Sequence, residues 1–464
     1  MDPLFSALAA VVGSTHVLTD PEVTASYSVD WTGRFAGRAA AVVRAGSTDE
    51  VAAVLVLLHE AGRPVVPQGG NTGLVGGGVP LHGEIVLSLR RLACIDPVDR
   101  AAGQVTAGAG VTLADLDAAA GAVSLAFGVD LAARHSATIG GMVATNAGGL
   151  RMLRYGNMRA QVAGLEAVLA DGSVISHLGG LAKDNTGYDL AGLLTGSEGT
   201  LAVVTRARLR LVPRLAARAV GLLAFATAEA ALDALICLRR RLATTLEAAE
   251  LFFADGVALV CDHLGIAPPF ARAHPVYLLV EVAAPTDPTE ELAAAVVEGV
   301  GDLALDGAVD REPAGRARLW RYREAHTEAI SAAGVPLKLD VSLPAGELAG
   351  FVPEVREAVA RVAPGLGCVV FGHAGDGNLH VNVLGAGDPA GGAARAVEDA
   401  VLRLVAARGG SISAEHGIGV AKRPWLHLNR TPAELAAFSA IKAALDPAGI
   451  LNPHVLLPPA PGMG

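Results

Sequence analysis

The sequence predicts an α+β protein in two large parts with a short closing segment, and three observations carry that reading. Residues 39–73 run as strand, helix, strand and then a glycine-rich loop. The strand run LAVVTRARLRLVP closes this first part near Pro213. From about Ala216 the order strand-then-helix repeats three times, which fits an antiparallel or mixed sheet with helices on one face. The expected parts are residues 1–213, 214–425 and 426–464.

Taking the elements in order, MDPLFSALAAVVGSTH reads as a first helix, because no basic residue precedes its short apolar run as a signal peptide requires. In the stretch from Ala39, Ser47 is placed to cap a helix, with Glu50 three residues later as its reciprocal partner. That helix ends near Gly62, and Pro64–Pro67 is a short strand. EIVLSLRRL and GQVTAGAGVTLADLDAAA follow, then a glycine-rich tract from Gly128 to Gly149. VAGLEAVLADGSVISHL reads as two strands joined at Asp171-Gly172, a strong hairpin signal. In the second part, AVGLLAFATAEAALDALICLRRR is strand then helix. VYLLVEVAAPTDPTEELAAAVVEGV repeats the order, with its helix opening at Pro288, and KLDVSLPAGELAGFVPEVREAVARV gives the third pass before CVVFGHAGDGNLHVNVLG. The tail holds a helix from about Pro432 and ends in LNPHVLLPPAPGMG, whose last prolines and glycines are expected to fray.

Composition narrows the function classes. With 464 residues, 52% apolar and 18% charged, the chain has enough apolar material for a large core in two to four domains. The net charge is −10 and no basic block is present, so nucleic acid is not an expected partner. An acidic protein with an anionic substrate needs local cations, which makes individual Arg and Lys positions informative. Cys94, Cys237, Cys261 and Cys368 are scattered without a C-x-x-C, as expected of separate thiols in a reducing compartment. No apolar stretch reaches the roughly 18 residues of a spanning helix. The cytoplasm is the expected location, with peripheral contact at the inner membrane face left open. A homodimer is the default from base rates alone.

Three glycine-rich tracts stand out: PQGGNTGLVGGGVP (67–80), SATIGGMVATNAGGLRMLRYGN (136–157) and DNTGYDLAGLLTGSEGT (184–200). Glycine permits positive φ and close backbone approach to a ligand, and successive amides can face a pyrophosphate. One such loop is weak evidence, since tight turns also need glycine; three favour a cofactor site. None is a G-x-G-x-x-G opening a helix within a βαβ unit, and no G-x-x-x-x-G-K-[ST] occurs.

Three later segments carry chemical groups. In RARLWRYREAHTEAISAAGVPLKLDVSLP, Trp320, Arg323 and Thr327 lie at helical spacing on one face, and Lys338, Asp340 and Ser342 share a side of an extended stretch. A guanidinium with an ammonium suits a carboxylate, although a lone Arg on a polar helix is more often an ordinary surface charge. In GHAGDGNLHVNV, His373 and His380 flank a tight turn, and His380 and Asn382 point to one side of a strand. SISAEHGIGVAKR places Glu415 beside His416. Two His and a Glu match a catalytic zinc set, but the spacing is not H-E-x-x-H, and structural histidines would look the same.

Taken together, PQGGNTGLVGG, IGGMVATNAGG, RYG, DNTGYDL and TGSEGT resemble the FAD-binding domain of the vanillyl-alcohol oxidase and para-cresol methylhydroxylase superfamily. The branch they are most similar to holds the D-lactate, glycolate and D-2-hydroxyglutarate dehydrogenases. The resemblance implies a two-part FAD-binding domain with an α/β cap domain that binds substrate, and oxidation of a D-2-hydroxy acid to the 2-oxo acid by hydride transfer to flavin N5. It puts noncovalent FAD against Pro67, Gly69, Gly70, Asn71, Thr72, Gly73 and Leu74 of the first tract. From the second it takes Ser136, Thr138, Gly140, Gly141, Ala144, Thr145, Asn146 and Gly148, and from the third Glu198, Gly199 and Val203. No histidine sits in the 67–80 loop to bond FAD covalently, and His135 reads as a polar turn residue. In the cap, the resemblance implies Arg323, Thr327 and Lys338 on the C1 carboxylate, Asn382 on the substrate, and His416 as the base. It implies His373, His380 and Glu415 as ligands of a divalent metal, zinc in such proteins. Two departures stand: His454 where glycine is usual, with the following basic residue missing, and Ala202 where glycine is usual. D-lactate and D-2-hydroxyglutarate remain competing substrates. An electron-transferring flavoprotein, a quinone or a cytochrome is the expected acceptor, since no C-x-x-C-H or cluster motif is present. A flavin oxidase, a noncatalytic FAD-binding subunit and a metal-dependent hydrolase are the alternatives.

Overall fold

The computed structural model describes residues 2–387 and 391–458. The closing residues 459–464, where fraying is expected, lie outside the described residues. The chain divides into two compact units. The first comprises residues 1–149, 155–214 and 415–464; the second comprises 150–154 and 215–414. Residues 415–425, grouped by sequence with the second part, therefore fall in the first unit together with the tail.

The first unit holds two sheets. One is mixed: Val17–Leu18 pairs antiparallel with Ala41–Arg44, and Ile85–Ser88 runs parallel to both Ala41–Arg44 and Val65–Gln68. The helix Thr48–Glu60 connects two of these strands and buries Val51, Val54, Leu55 and Leu58. Ser47 caps it as expected by accepting from the Glu50 amide, while the Glu50 carboxylate accepts from Gly46 N at 2.7 Å, one residue before the reciprocal position. The other sheet is antiparallel, in the order Gln104–Gly108, Val203–Pro213, Val162–Val168, Val174–His177, with Leu125–Phe127 also on the long strand. The Asp171-Gly172 hairpin forms as read, with Gly172 at φ 86°. The expected loop between Gly128 and Gly149 contains a short helix, Ile139–Thr145. Gly140 is there for packing, since a Cβ on it would lie 2.5 Å from Ala109 Cβ.

In the second unit one seven-stranded sheet runs in the order Asp306–Asp310, Ala217–Phe225, Val276–Ala284, Leu246–Phe253, Gly367–His373, Asn378–Leu384, Leu337–Ser342. Every pairing in it is antiparallel, which resolves the mixed-or-antiparallel expectation. Helices on one face alone is corrected to helices on both. Residues of both alternations are buried along Ala217–Phe225 and Leu246–Phe253, as unbroken apolar strands require. One face packs Val220, Leu222, Phe252, Tyr277 and Phe371 against Val257, Leu319, Tyr322 and Ile330 of the helices Ala254–Leu264, Pro313–Glu324 and His326–Ala332. The helices Ala228–Arg241, Leu348–Val362 and Gly392–Ala407 contact one another in series and serve the opposite face. Residues 150–154 join this unit through Glu247, a 2% exposed carboxylate that takes Arg218 at 2.7 Å, Arg154 at 3.3 Å and Arg151 at 3.9 Å.

Candidate active site

In the first unit the three glycine tracts meet. The first tract leaves the strand Val65–Gln68 and lies so close to the second that side chains are excluded. A Cβ on Gly69 would fall 2.2 Å from Thr138 Oγ1, and one on Gly70 would fall 1.9 Å from Ser136 O. Arg90, which sequence reasoning passed over, donates to the carbonyls of Gly69 at 3.0 Å and Gly70 at 3.1 Å. Asn71 (φ 55°), Asn146 (φ 51°) and Glu198 (φ 53°) place one left-handed non-glycine residue in each tract, a conformation that surrounding contacts must hold. Asn71 Nδ2 donates to Val29 O, and Asn146 Oδ1 accepts from Arg159 N.

Of the expected cofactor residues, Pro67, Gly69, Gly70, Asn71, Thr72, Leu74, Gly141, Ala144, Thr145 and Asn146 are half-buried, and Gly73 and Ser136 are exposed. Thr138, Gly140, Gly148 and Gly199 are buried. Two side chains turn elsewhere. Val203, 1% exposed, belongs to the hydrophobic core beside Val168 and Ile85. The Glu198 carboxylate accepts the amides of Ile418 at 2.8 Å and Gly419 at 2.7 Å. Burial raises its pKa above the usual carboxylate range, and those two amides act in the opposite direction. The residues fit FAD on one further observation: Thr138 Oγ1, buried between the first two tracts, has no hydrogen-bond partner. Such a group costs stability unless a ligand completes it.

The tail fastens these tracts together. Asn452 Nδ2 donates to Gly77 O and to Glu198 O, both at 2.9 Å. Lys442 Nζ donates to Thr200 O and Leu451 O and pairs with Asp446. His454, the departure noted above, packs against His82 with ring centroids 4.0 Å apart and the rings tilted by 49°, and Arg423 donates to its carbonyl. Ala202 is 2% exposed inside the core, where a methyl group is accommodated. His135 is exposed, as a polar turn residue would be. Glu415 and His416 belong to this first unit; Glu415 Oε1 accepts from Gly149 N at 2.9 Å.

In the second unit the antiparallel register brings the cap residues to one face. Lys338 lies opposite Asn382, Asp340 opposite His380, and Ser342 opposite Asn378. On the other side of the same strand, Phe371 pairs with His380 and His373 with Asn378; Glu250 then pairs with His373. The two imidazoles stand 5.4 Å apart, nearly perpendicular. His373 Nδ1 lies 2.6 Å from Glu250 Oε1, and His380 Nδ1 lies 3.6 Å from Asp340 Oδ1. A carboxylate behind each Nδ1 is the arrangement that orients a histidine toward a metal, so this donor pair fits a divalent ion. Burial lowers the pKa of the Lys338 ammonium.

Arg323 is 7% exposed, with its guanidinium 4.5 Å from the Phe371 ring centroid and Nε donating to Glu250 Oε2 at 2.7 Å. Glu250 thus bridges Arg323 and His373. Burial works against its charge, but His373 and Arg323 outweigh burial and hold its pKa at about 2. Sequence reasoning missed Glu250, although the two acids, Glu247 and Glu250, inside the otherwise apolar LEAAELFF were the available signal. One expectation is corrected: Arg323 and Thr327 do not share a helix. The helix Pro313–Glu324 stops at Ala325, and Thr327 lies exposed in the next one, His326–Ala332.

At the break sits His326, 0% exposed, with its ring 5.4 Å from Phe252 and 4.9 Å from Phe371. Neither ring nitrogen has a hydrogen-bond partner; the Tyr322 and Arg323 carbonyls are near without bonding to it. Burial first, and Arg323 second, push its pKa down to about 3.

The chain matches the family described as FAD linked oxidases, C-terminal domain, over residues 214–456, and an FAD binding domain over residues 39–177. It is 40% identical over 458 residues to a mitochondrial D-2-hydroxyglutarate dehydrogenase of Bos taurus, covering 98% of this chain and 83% of that one. It is 39% identical over 464 residues to a D-2-hydroxyglutarate dehydrogenase of Xanthomonas citri pv. viticola, covering 98% and 97%. The solved structure of 4-ethylphenol oxidase from Gulosibacter chungangensis shares the fold, with a TM-score of 0.73 at 19% identity over 97% of this chain and 95% of that one. Glycine tracts moulded around a buried, unpartnered hydroxyl and relatives aligned over nearly the whole chain lead to one conclusion: the chain belongs to the family of FAD-linked D-2-hydroxy acid dehydrogenases.

Proposed function

We propose that this chain oxidises D-2-hydroxyglutarate to the 2-oxo acid with the help of a divalent metal. The carrying observation is the sheet register of the second unit, which ranks Lys338 with Asn382 and Asp340 with His380, next to the Arg323–Glu250–His373 cluster. The relatives named D-2-hydroxyglutarate dehydrogenase support this acid over D-lactate.

When bound, FAD supplies the hydride acceptor, and the metal, zinc in our reading, supplies a Lewis acid for the C2 oxygen. Arg323, Lys338 and Thr327 hold the C1 carboxylate. Arg323 is preorganised for this, because Glu250 fixes its Nε and Phe371 supports its plane. Asn382 contacts the substrate. His373 and His380 hold the metal, with Glu415 as the third ligand on the strength of the resemblance. His416 takes the proton of the C2 hydroxyl, a task suited to an imidazole at neutral pH. A separate electron-transferring flavoprotein, quinone or cytochrome takes the electrons, with the protein, as a homodimer, in the cytoplasm or at the inner face of a membrane.

The test mixes FAD-replete, metal-replete protein anaerobically with D- and L-2-hydroxyglutarate and D-lactate while flavin absorbance is followed. Bleaching is expected with D-2-hydroxyglutarate, slower with D-lactate, and absent with the L-acid. His416→Ala should keep its flavin and lose most of the reduction rate, and His380→Ala should lose zinc and rate together. Bound flavin that no D-acid bleaches would sink the reading; rapid peroxide formation in air would turn it toward an oxidase.

A further inference from the structure

The segment Glu415–Ala421 carries two groups that the proposed reaction uses, yet it contains no helix or strand. Irregular backbone must have its amides satisfied from elsewhere. Here all three glycine tracts contribute. Val75 O, in the first, accepts from Val420 N at 2.9 Å and Ala421 N at 3.1 Å. Gly149 N, in the second, donates to Glu415 Oε1 at 2.9 Å. Glu198, in the third, takes the amides of Ile418 and Gly419, one on each carboxylate oxygen.

The fit is tight enough to select residue types. A Cβ on Gly417 (φ +82°) would lie 2.9 Å from Glu198 Oε1, and one on Gly419 (φ +52°) would lie 2.2 Å from Val75 O. Glu198 itself is held at φ 53°, a conformation that costs a non-glycine residue free energy, and its carboxylate is 220 residues away from the amide it binds. The carboxyl group accepts both amides, one on each oxygen, so neither amide is left unpaired.

We propose that Glu198 is a positioning residue: by gripping the amides of Ile418 and Gly419 it fixes the backbone that presents His416. The cofactor tracts thereby set the place of the base, and the consequence for catalysis rests on the function proposed above.

The test uses the FAD-loaded full chain with Glu198→Gln, an isostere that turns an NH2 toward one of the two amides. Flavin content and melting temperature are expected to stay near those of the unmodified protein. Amide hydrogen exchange across 415–421 should accelerate at least about tenfold, because one amide loses its acceptor. Flavin reduction by D-2-hydroxyglutarate should slow about 10- to 100-fold at saturating acid, the scale of a misplaced catalytic group, with the half-saturating concentration changed less than about threefold. Unaltered exchange would overturn the proposal whatever the kinetics. Faster exchange with unaltered reduction would overturn it too, as would loss of flavin and of melting temperature in proportion to rate, which marks a purely structural residue. Should the glutamine variant not fold, Glu198→Asp retracts the carboxyl group by one methylene and carries the same comparison. If the unmodified protein is bleached by no D-acid, the proposed function fails, while the exchange result still decides whether Glu198 holds the segment.

Discussion

Replacing His326 with Leu should make the protein markedly less sensitive to acid. The imidazole is fully buried between Phe252 and Phe371, without a hydrogen bond, and its pKa is about 3 against an ordinary 6.5. The fold therefore keeps it neutral in a range where the unfolded chain takes up a proton. Stability is intact above pH 6.5 and falls as pH drops below it, by about 1.4 kcal/mol per unit, until the folded group titrates near pH 3. At pH 5 the loss amounts to about 2 kcal/mol. For a unit of about 200 residues this lowers the melting temperature by roughly 4–8 °C. Leucine has nearly the volume of histidine and no proton to bind. At pH 7.5 the substitution removes two unpaired nitrogens, costing about 1–3 kcal/mol each, and gives up two ring contacts of about 0.5–1.5 kcal/mol each. The gain outweighs the loss by about 1–3 kcal/mol, an offset common to both pH values, so the pH slope is the informative quantity. Calorimetry of both proteins at pH 7.5 and pH 5 isolates it, because every other titrating group is shared. Equal drops in melting temperature would refute a neutral, buried His326.

Glu250→Gln should be severe, since it strands the buried Arg323 charge at a cost of about 3–5 kcal/mol. A fall of roughly 10 °C in melting temperature is the expected result, and, on the function proposed above, weaker zinc binding through the released His373; an unchanged melting temperature would show that Arg323 does not depend on this pair. Thr138→Val should leave the FAD-free protein as stable as before or more so, because it removes an unsatisfied hydroxyl. Its FAD affinity, read by flavin fluorescence titration, should fall about tenfold if that hydroxyl bonds the cofactor, and unchanged affinity would remove Thr138 from the cofactor site.

Features set by near neighbours in the chain were legible. The Ser47 cap, the Asp171-Gly172 hairpin and the glycine tracts depend on residues a few positions apart, and each is found where its residue types require it. The pairing of His380 and Asn382 on one strand side follows from alternation alone. Features set by distant contacts were not legible. Glu250 meets His373 across 123 residues, and nothing local marks an acid in an apolar strand as the partner of a particular histidine. The stop at Ala325 was hidden because REAHTEAI carries no glycine or proline, so helical spacing ran on through a break that tertiary packing of His326 accompanies. The covering of both sheet faces was readable in principle, since VGLLAF is continuous rather than alternating.

The return of the chain at Glu415 bears on how such an enzyme keeps its geometry. Of the groups proposed to recognise an acid, Lys338 and Asn382 stand on an antiparallel sheet whose register fixes their spacing, and Arg323 stands on the helix Pro313–Glu324, tied to that sheet through Glu250. Glu415 and His416 instead stand on an irregular segment that owes its shape to Val75, Gly149 and Glu198, residues in or beside the cofactor tracts. On the function proposed above, a base mounted there is held by those tracts and not by the sheet register. Proton removal and hydride transfer must be aligned with each other to well under an ångström, whereas carboxylate recognition tolerates adjustment by long side chains. On that function the strict requirement falls on the segment fastened to the cofactor tracts, and residues 415–464 belong with the first unit although 200 residues separate them from the rest of it.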